Sequence, residues 1–183
     1  MNRLKHTRCY LAGAMDRVPD AGETWRRLIR HHLDDLGILW LDPTHKPIDI
    51  GVEDAESRRL RKLNKQAGRY DLVTDEMVPI REVDIRMVNV TDFLIVNIDI
   101  EVHACGTYFE VAHASAQTKP ILVHVEQGKK ECPDWLLAEI PHEHVFDSWI
   151  DLRKYVRHIA HDPIVDHMGR WLFFDWMGDD EDE

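Results

Sequence analysis

The chain alternates short apolar runs with amphipathic stretches, and this alternation limits its possible folds more than any other feature. The clearest run is Phe93–Ile98, which is almost continuously apolar, as expected for a strand buried on both faces. Shorter runs of the same kind lie at residues 9–12, 38–41, 121–125 and 145–146. The pattern predicts five strands of a parallel sheet.

Between these runs, apolar residues recur at helical spacing. Residues 20–36 begin with Asp20 and Glu23, spaced as a capping box, and carry an apolar stripe that ends at Gly37: Trp25, Leu28, Ile29, Leu33 and Leu36. Further helices are predicted at residues 82–91, 107–117 and 148–160. We therefore expect one α/β domain over residues 1–162. Its fold would be a doubly wound, Rossmann-like or flavodoxin-like parallel sheet with helices on both faces.

Two segments depart from this alternation. Residues 44–80 contain Pro47, Pro79, many charges and a basic helical patch at 58–65, and we interpret them as a surface insertion or lid over the substrate. The alternative is a solvated loop with a short helix. Residues 163–183 combine aromatic side chains with an acidic end, which suggests a tail that docks on its own subunit or on a neighbour.

Composition excludes several classes of function. The formal net charge of −11 repels phosphate backbones and anionic lipid surfaces, so duplex nucleic acid and membranes are not expected partners. A small nucleotide remains compatible, because a local loop can offset the global field. The three cysteines form no disulfide framework, and neither a signal-peptide core nor a membrane span is apparent. These features predict a soluble, cytoplasmic protein.

Ligands of such sheets bind at the carboxyl ends of the strands, which are here residues 13–16, 42–44 and 99–106. In the third segment, Gly106 permits a tight turn and Thr107 can cap the next helix. Glu110 would then lie on the first turn, where the helix dipole favours an ionised carboxylate, as a nucleophile requires. Alternatively, Glu110 only completes a capping box with Thr107.

Several short motifs together resemble a known family. In chain order they are Tyr10-Leu11-Ala12-Gly13, Asp84 on a helix, Asp92-Phe93-Leu94-Ile95-Val96, Gly106-Thr107-Tyr108-Phe109-Glu110, Ala112 with Ala114, and Lys119-Pro120. Their order and spacing are similar to those of the nucleoside 2-deoxyribosyltransferase family, over about residues 8 to 160. The resemblance implies cleavage of the N-glycosidic bond in (deoxy)nucleosides or 5′-nucleotides. The deoxyribosyl group would pass to another base or to water.

The resemblance also implies residue roles. Glu110 would attack the anomeric carbon and form a glycosyl-enzyme, and Tyr10 would orient its carboxylate. Asp84 would deliver a proton to the nucleobase, which requires a pKa raised by burial or by a neighbouring carboxylate. The simpler interpretation of Asp84 is a solvated acid on the first turn of a helix.

One position departs from the family pattern. Ala104 stands where the family has an aspartate or serine that contacts the sugar or phosphate, and Glu101 and His103 are the nearest polar substitutes. We expect Gly13, Asp16, His103, Gly106 and Thr107 to contact the substrate. The resemblance further implies a homo-oligomer whose neighbouring subunit completes the site near His144.

Other patterns are weaker. The 12 histidines lack metal-ligand spacing, so neither a metal nor a cofactor is expected. Cys105 could be a thiol nucleophile, but a small packing residue fits that position better. A phosphate could be held by Ser57-Arg58-Arg59 and Arg61-Lys62, which could equally form a solvated helix face. Two rival functions remain: a nucleotide phosphoribohydrolase of the lysine-decarboxylase-like type, and a non-catalytic nucleotide-binding module.

Overall fold

The computed structural model describes residues 1–46, 53–162 and 167–174. The strands are β1 Arg8–Gly13, β2 Leu39–Leu41, β3 Phe93–Ile98, β4 Ile121–Val125 and β5 Val145–Phe146. The α-helices are α1 Glu23–His32, α2 Ala55–Gln66, α3 Tyr70–Val90, α4 Cys105–Ala116, α5 Asp134–Glu139 and α6 Trp149–His161.

The strands form one parallel sheet in the order β2-β1-β3-β4-β5. The chain runs outward from β1 to β2 and then returns to place β3 on the other side of β1. Connections on either side of β1 therefore diverge, and a crevice opens where β1 and β3 end, with Gly13 beside Asn97. The predicted doubly wound α/β fold is confirmed.

Each face of the sheet carries its own hydrophobic core, because successive side chains of a strand point to opposite faces. In β1, Cys9 and Leu11 pack on the face covered by α1 and α6. Tyr10 and Ala12 pack on the opposite face, against α3 and α4. This alternation sets the position of Tyr10, whose side chain lies beneath the helices that carry the candidate catalytic acids.

The first predicted helix differs in detail. Its N-cap is Gly22 in the left-handed conformation, so Asp20 and Glu23 do not form the predicted capping box. Asp20 instead accepts hydrogen bonds from the backbone N–H groups of Gly22 and Thr24. Leu28 is 46% exposed and lies outside the predicted buried stripe.

The insertion at residues 44–80 is more helical than predicted. Helix α3 is a single helix of 21 residues that begins at Tyr70 and contains Pro79, so it joins the last part of the insertion to the helix predicted at residues 82–91. Helix α2 precedes it and begins with a capping box between Asp54 and Ser57. The interpretation as a solvated loop with a short helix is therefore wrong, whereas movement of this segment as a lid stays a prediction. Pro47 lies outside the described residues.

Helix α4 begins earlier than predicted. Its N-cap is Ala104 and its first residue is Cys105, so Thr107 lies inside the first turn and caps nothing. Glu110 consequently lies on the second turn, and the predicted capping box with Thr107 does not form. The dipole of the helix terminus acts mainly within the first turn, so Glu110 depends on its tertiary neighbours for its charge state.

Part of the aromatic tail docks on its own chain. Trp171 is fully buried, packs on Phe93 at 5.1 Å between ring centroids, and donates a hydrogen bond to the hydroxyl of Tyr155. Trp176 and the acidic end lie outside the described residues. Within the described ranges, no helix is both long enough and apolar enough to cross a membrane.

Candidate active site

A cavity of about 760 Å³ opens at the crevice between the ends of β1 and β3. Its volume suits a small organic ligand. The loops after β1, β2 and β3 line it, together with α3 and the first turns of α4. Its polar and charged lining residues include Asp16, Arg17, Glu53, Arg81, Asp84, His103 and Glu110.

Tyr10 and Glu110 form a close polar contact at this cavity. The Tyr10 hydroxyl donates a hydrogen bond of 2.7 Å to Oε1 of Glu110. Tyr10 is fully buried in β1, so its ring cannot follow a moving partner and the carboxylate is held in one orientation. The contact brings together two residues that the sequence predicted to act together.

The charge state of Glu110 differs from the prediction. Burial raises the pKa of Glu110 from 4.5 to about 8, although the hydrogen bond from Tyr10 opposes this rise. The negative charge of Asp84 adds to the rise, while Arg26 and Lys46 oppose it. The free protein therefore favours a protonated Glu110 near neutral pH, where an ionised carboxylate had been expected.

Asp84 faces the same cavity from α3. Its side chain is 15% exposed, and its Oδ1 lies 2.9 Å from Nζ of Lys46. Burial raises the pKa of Asp84, and the ammonium group of Lys46 opposes this rise. The interpretation of Asp84 as a solvated acid on the first turn of a helix is wrong. Lys46 was missed because nothing in its local sequence indicates burial.

Arg26 holds the end of β1 next to the cavity, and the sequence did not predict it as a site residue. Its guanidinium is fully buried and donates to the carbonyl groups of Leu11 and Gly13, at 3.1 and 2.9 Å. It also donates to the carbonyls of Ala21 and Gly22 and lies 3.7 Å from Asp42. Arg26 thus fixes the end of β1 relative to the start of α1, which sets the cavity floor.

Arg61 is buried among carboxylates. Its guanidinium pairs with Glu76 at 2.8 Å, Asp16 at 3.2 Å and Glu53 at 3.4 Å. It is therefore neither a phosphate-binding residue nor part of a solvated helix face, the two roles considered from sequence. Through Asp16 and Glu53, Arg61 joins α2 to the rim of the cavity.

The two glycines of the site, Gly13 and Gly106, differ in the space around them. A Cβ added to Gly13 would lie 2.9 Å from the ring of Trp25 and 3.3 Å from the carbonyl oxygen of Asn97, so only glycine fits there. A Cβ on Gly106 would meet no atom within 4 Å. Gly106 is helical with no positive φ, so the predicted tight turn is wrong and its missing side chain leaves open space in the cavity.

Comparison with known proteins supports the fold. No family model and no curated protein sequence matches the chain. A 2-deoxyribosyltransferase of Bacillus psychrosaccharolyticus superposes with a TM-score of 0.53 at 15% identity, over 81% of this chain and 92% of that one. The chain has the fold of a 2-deoxyribosyltransferase. The resemblance predicted from the motifs is confirmed at this level.

Two further solved structures are similar. A conserved protein of Enterococcus faecalis V583 has a TM-score of 0.53 and 15% identity, over 85% of this chain and 99% of that one. A CMP N-glycosidase of Clostridium botulinum has a TM-score of 0.44 and 14% identity, over 84% and 97% of the two chains.

The structure brings most predicted site residues together. Gly13, Asp16, His103, Gly106 and Thr107 all line the cavity that contains Asp84 and Glu110. Ala104 and Cys105 line it too, but Glu101 does not. No group of three metal-ligating side chains occurs within the described parts of the chain.

His144 is the exception. Its side chain is fully buried, and its Nε2 lies 2.7 Å from the hydroxyl of Tyr155. It does not line the cavity of its own chain. The expectation that His144 completes the site of a neighbouring subunit stays a prediction. The prediction that a short strand lies beside His144 is correct, but the side chain of His144 is buried in the core.

Proposed function

We propose that this protein cleaves the N-glycosidic bond of (deoxy)nucleosides or 5′-nucleotides and passes the sugar to another base or to water. Glu110 acts as the nucleophile, Tyr10 orients it, and Asp84 is the proton donor to the departing base. The observation that carries this proposal is the hydrogen bond of 2.7 Å from Tyr10 to Glu110 in a cavity that Asp84 also lines.

The proposed reaction has two displacements. In the first, a Glu110 oxygen bonds to the anomeric carbon, the carbon–nitrogen electron pair passes to the base, and Asp84 gives its proton to the base. In the second, water or an acceptor base attacks the anomeric carbon and releases Glu110. The incoming nucleophile returns its proton to Asp84, so both carboxyl groups end in their starting states.

The carboxyl groups must differ in protonation when the bond breaks. Glu110 must be ionised and Asp84 protonated, yet burial raises the pKa of both groups. Two interacting carboxyl groups titrate as a pair, so we expect a bell-shaped dependence of kcat/KM on pH. The transition state favours the productive state, since the positive charge that develops on the sugar stabilises an ionised Glu110.

The remaining lining suits a nucleoside or nucleotide. Met77, Val78, Ile80 and Phe109 give an apolar wall on which a nucleobase can pack. Arg17 and Arg81 supply cationic groups for a 5′-phosphate, and His103 adds an imidazole that can form a hydrogen bond to it. The similar fold of a 2-deoxyribosyltransferase supports this class of reaction, while the 15% identity leaves base and sugar preference to experiment.

The test is an incubation with pooled deoxynucleosides, ribonucleosides and their 5′-monophosphates, with and without an acceptor base. Exchange of bases identifies a transferase, and free base without exchange identifies a hydrolase. Release of ribose 5-phosphate from ribonucleotides alone would favour the phosphoribohydrolase. Saturable nucleotide binding without turnover would replace the proposal by a binding module.

The nucleophile is tested by trapping. Acid quench during turnover should leave a pentosyl group on the peptide that contains Glu110, detected by mass spectrometry. Glu110→Gln should abolish both the adduct and turnover. Glu82→Gln changes an exposed acid on α3 and should leave both unchanged. An adduct on Cys105 instead of Glu110 would refute the assignment.

A further inference from the structure

Lys46 is a buried lysine with no role in the reaction described so far. It follows the turn after β2, in which Asp42 accepts hydrogen bonds from the backbone N–H and the hydroxyl of Thr44. Its side chain is 1% exposed. Nζ lies 2.9 Å from Oδ1 of Asp84 and 3.6 Å from Oε1 of Glu53.

An ammonium group in such a place is costly unless anions surround it. Glu53 and Asp84 supply these charges, and both carboxylates line the cavity. Lysines this deeply buried are uncommon, because the long side chain usually carries its charge to water. Its position therefore indicates a function beyond the stability of the loop.

The contact with Lys46 gives the two carboxyl oxygens of Asp84 different surroundings. Nζ of Lys46 and Oδ1 of Asp84 are both shielded from solvent, and neither has a hydrogen-bond partner of good geometry among the described residues, so an ion pair joins them. Asp84 nevertheless lines the cavity, so its Oδ2 is the oxygen left to meet a ligand. A carboxyl group held by one oxygen presents the other in a defined direction, as a proton donor to a ring nitrogen must.

The charge of Lys46 also fits the proton transfer. When Asp84 gives its proton to the departing base, a negative charge appears in a buried place. Burial alone would make this charge unfavourable and Asp84 a poor acid. An ammonium group already within 2.9 Å stabilises the carboxylate as it forms, with no rearrangement of the site.

We propose that Lys46 is a positioning residue of the glycosidic reaction: it fixes Oδ1 of Asp84, directs Oδ2 to the nucleobase and stabilises the carboxylate left after proton transfer. This inference rests on the proposed function. It assigns to the loop after β2 a part in catalysis, alongside β1, α3 and α4.

The expected effect on pH dependence has a definite sign. Within the described residues, the charged groups around Lys46 include Glu53 before α2, Asp84 on α3 and Glu110 on α4, with Arg61 paired to Glu53 and Arg26 close to the site. The positive charge of Lys46 lowers the pKa of Asp84 and of Glu110. Its removal therefore raises both, and the whole activity profile moves to higher pH.

The test compares Lys46→Met with Lys46→Arg, which keeps the charge, and with Lys62→Met, which removes an exposed charge from α2. We expect Lys46→Met to shift the kcat/KM profile upward by about one pH unit or more. Its kcat on a nucleoside should fall about tenfold or more, with a smaller loss on p-nitrophenyl 2-deoxyriboside, whose leaving group needs no proton. Lys46→Arg and Lys62→Met should keep profiles close to that of the unchanged protein.

A second measurement is independent of turnover. The Asp84 carboxyl carbon, assigned in ¹³C-aspartate-labelled protein by the signal lost in Asp84→Asn, should titrate at higher pH in Lys46→Met. If Lys46→Met fails to fold, Lys46→Met/Glu53→Gln removes the opposing charge as well and takes its place. An unshifted profile with equal losses on both substrates would overturn the inference. Absence of cleavage by the unchanged protein would instead refute the proposed function, and with it the role in the reaction.

Discussion

The hydroxyl of Tyr10 donates a 2.7 Å hydrogen bond to Glu110, a residue 100 positions away in the chain. Tyr10 comes from the interior of β1 and Glu110 from the second turn of α4, so the sheet and the helix packing must both form before the contact exists. It joins a rigid aromatic ring to a carboxyl group whose pKa burial raises to about 8. Burial raises the pKa of Glu110 and the hydrogen bond from Tyr10 lowers it, so Tyr10 helps to set the charge of Glu110.

The first prediction concerns this effect of Tyr10. Tyr10→Phe removes the hydrogen bond that lowers the pKa of Glu110, so less of the ionised form exists at pH 7. We expect kcat/KM to fall about tenfold at pH 7, with partial recovery at higher pH. Tyr70→Phe removes a hydroxyl from an exposed ring at the start of α3 and is the control. A loss that is the same at every pH would mean that the hydroxyl of Tyr10 orients Glu110 without controlling its charge.

The second prediction concerns stability. Between pH 4.5 and 8 the folded state binds a proton at Glu110 that the unfolded state releases, so this group makes the fold less stable as pH rises through that window. Glu110→Gln removes this effect and keeps an acceptor for Tyr10. We expect it to stabilise the protein at pH 8 by about 2 to 4 kcal/mol, with little difference below about pH 4. Chemical denaturation at both pH values checks this.

A destabilised Glu110→Gln at pH 8 would show that Glu110 is ionised and favourably paired in the folded protein. Glu82→Gln is again the control, since Glu82 is exposed on α3. Together with loss of turnover, a gain in stability would identify Glu110 as a residue kept for function at the expense of the fold.

The sequence predicted the sheet well for a physical reason. Strands buried on both faces must be apolar throughout, and this signal is local, so the run at β3 and the strands around it could be recognised. The position of Pro79 inside α3 could not be predicted, because a proline usually ends a helix. The packing that tolerates it here comes from elsewhere in the chain.

The candidate site was predicted only in part. Motif order indicated Tyr10, Asp84 and Glu110, but Arg26, Lys46 and Arg61 resemble ordinary surface residues in sequence. Their partners come from other elements, as Arg61 shows by pairing with Asp16 and Glu76. Buried charges of this kind depend on tertiary geometry, and hydrophobic periodicity contains no information about them.

The third prediction uses the two glycines of the site as a matched pair. Gly13→Ala places a methyl group 2.9 Å from Trp25, which is itself stacked on Trp149, so the ring has little room to move. We expect a loss of about 1 to 3 kcal/mol in the free energy of unfolding. Gly106→Ala meets no atom within 4 Å at a helical position, so it should keep or slightly raise stability while raising KM. Thermal denaturation and kinetics separate the two, and equal stabilities would contradict the packing argument.

The fourth prediction tests Asp84 through the leaving group. Asp84→Asn keeps the shape of the side chain but cannot donate a carboxylic proton. We expect a loss of about a hundredfold or more on nucleosides whose base must be protonated, since general acid catalysis contributes about 10² to 10⁴ in rate. On p-nitrophenyl 2-deoxyriboside the loss should stay below about tenfold. Equal losses on both substrates would make Asp84 a binding residue.

The last prediction concerns His103, an exposed residue in the loop before α4 that lines the cavity beside Ala104. Because Ala104 offers no polar group to the sugar or phosphate, another residue must supply this contact, and a protonated imidazole suits a phosphate better than a hydroxyl. His103→Ala should lower kcat/KM about ten- to a hundredfold on a 5′-monophosphate, with a smaller loss on the matching nucleoside. His142→Ala changes an exposed histidine that does not line the cavity and should affect neither. Equal losses on both substrates would exclude His103 from phosphate recognition and leave Arg17 and Arg81 as the cationic groups to test next.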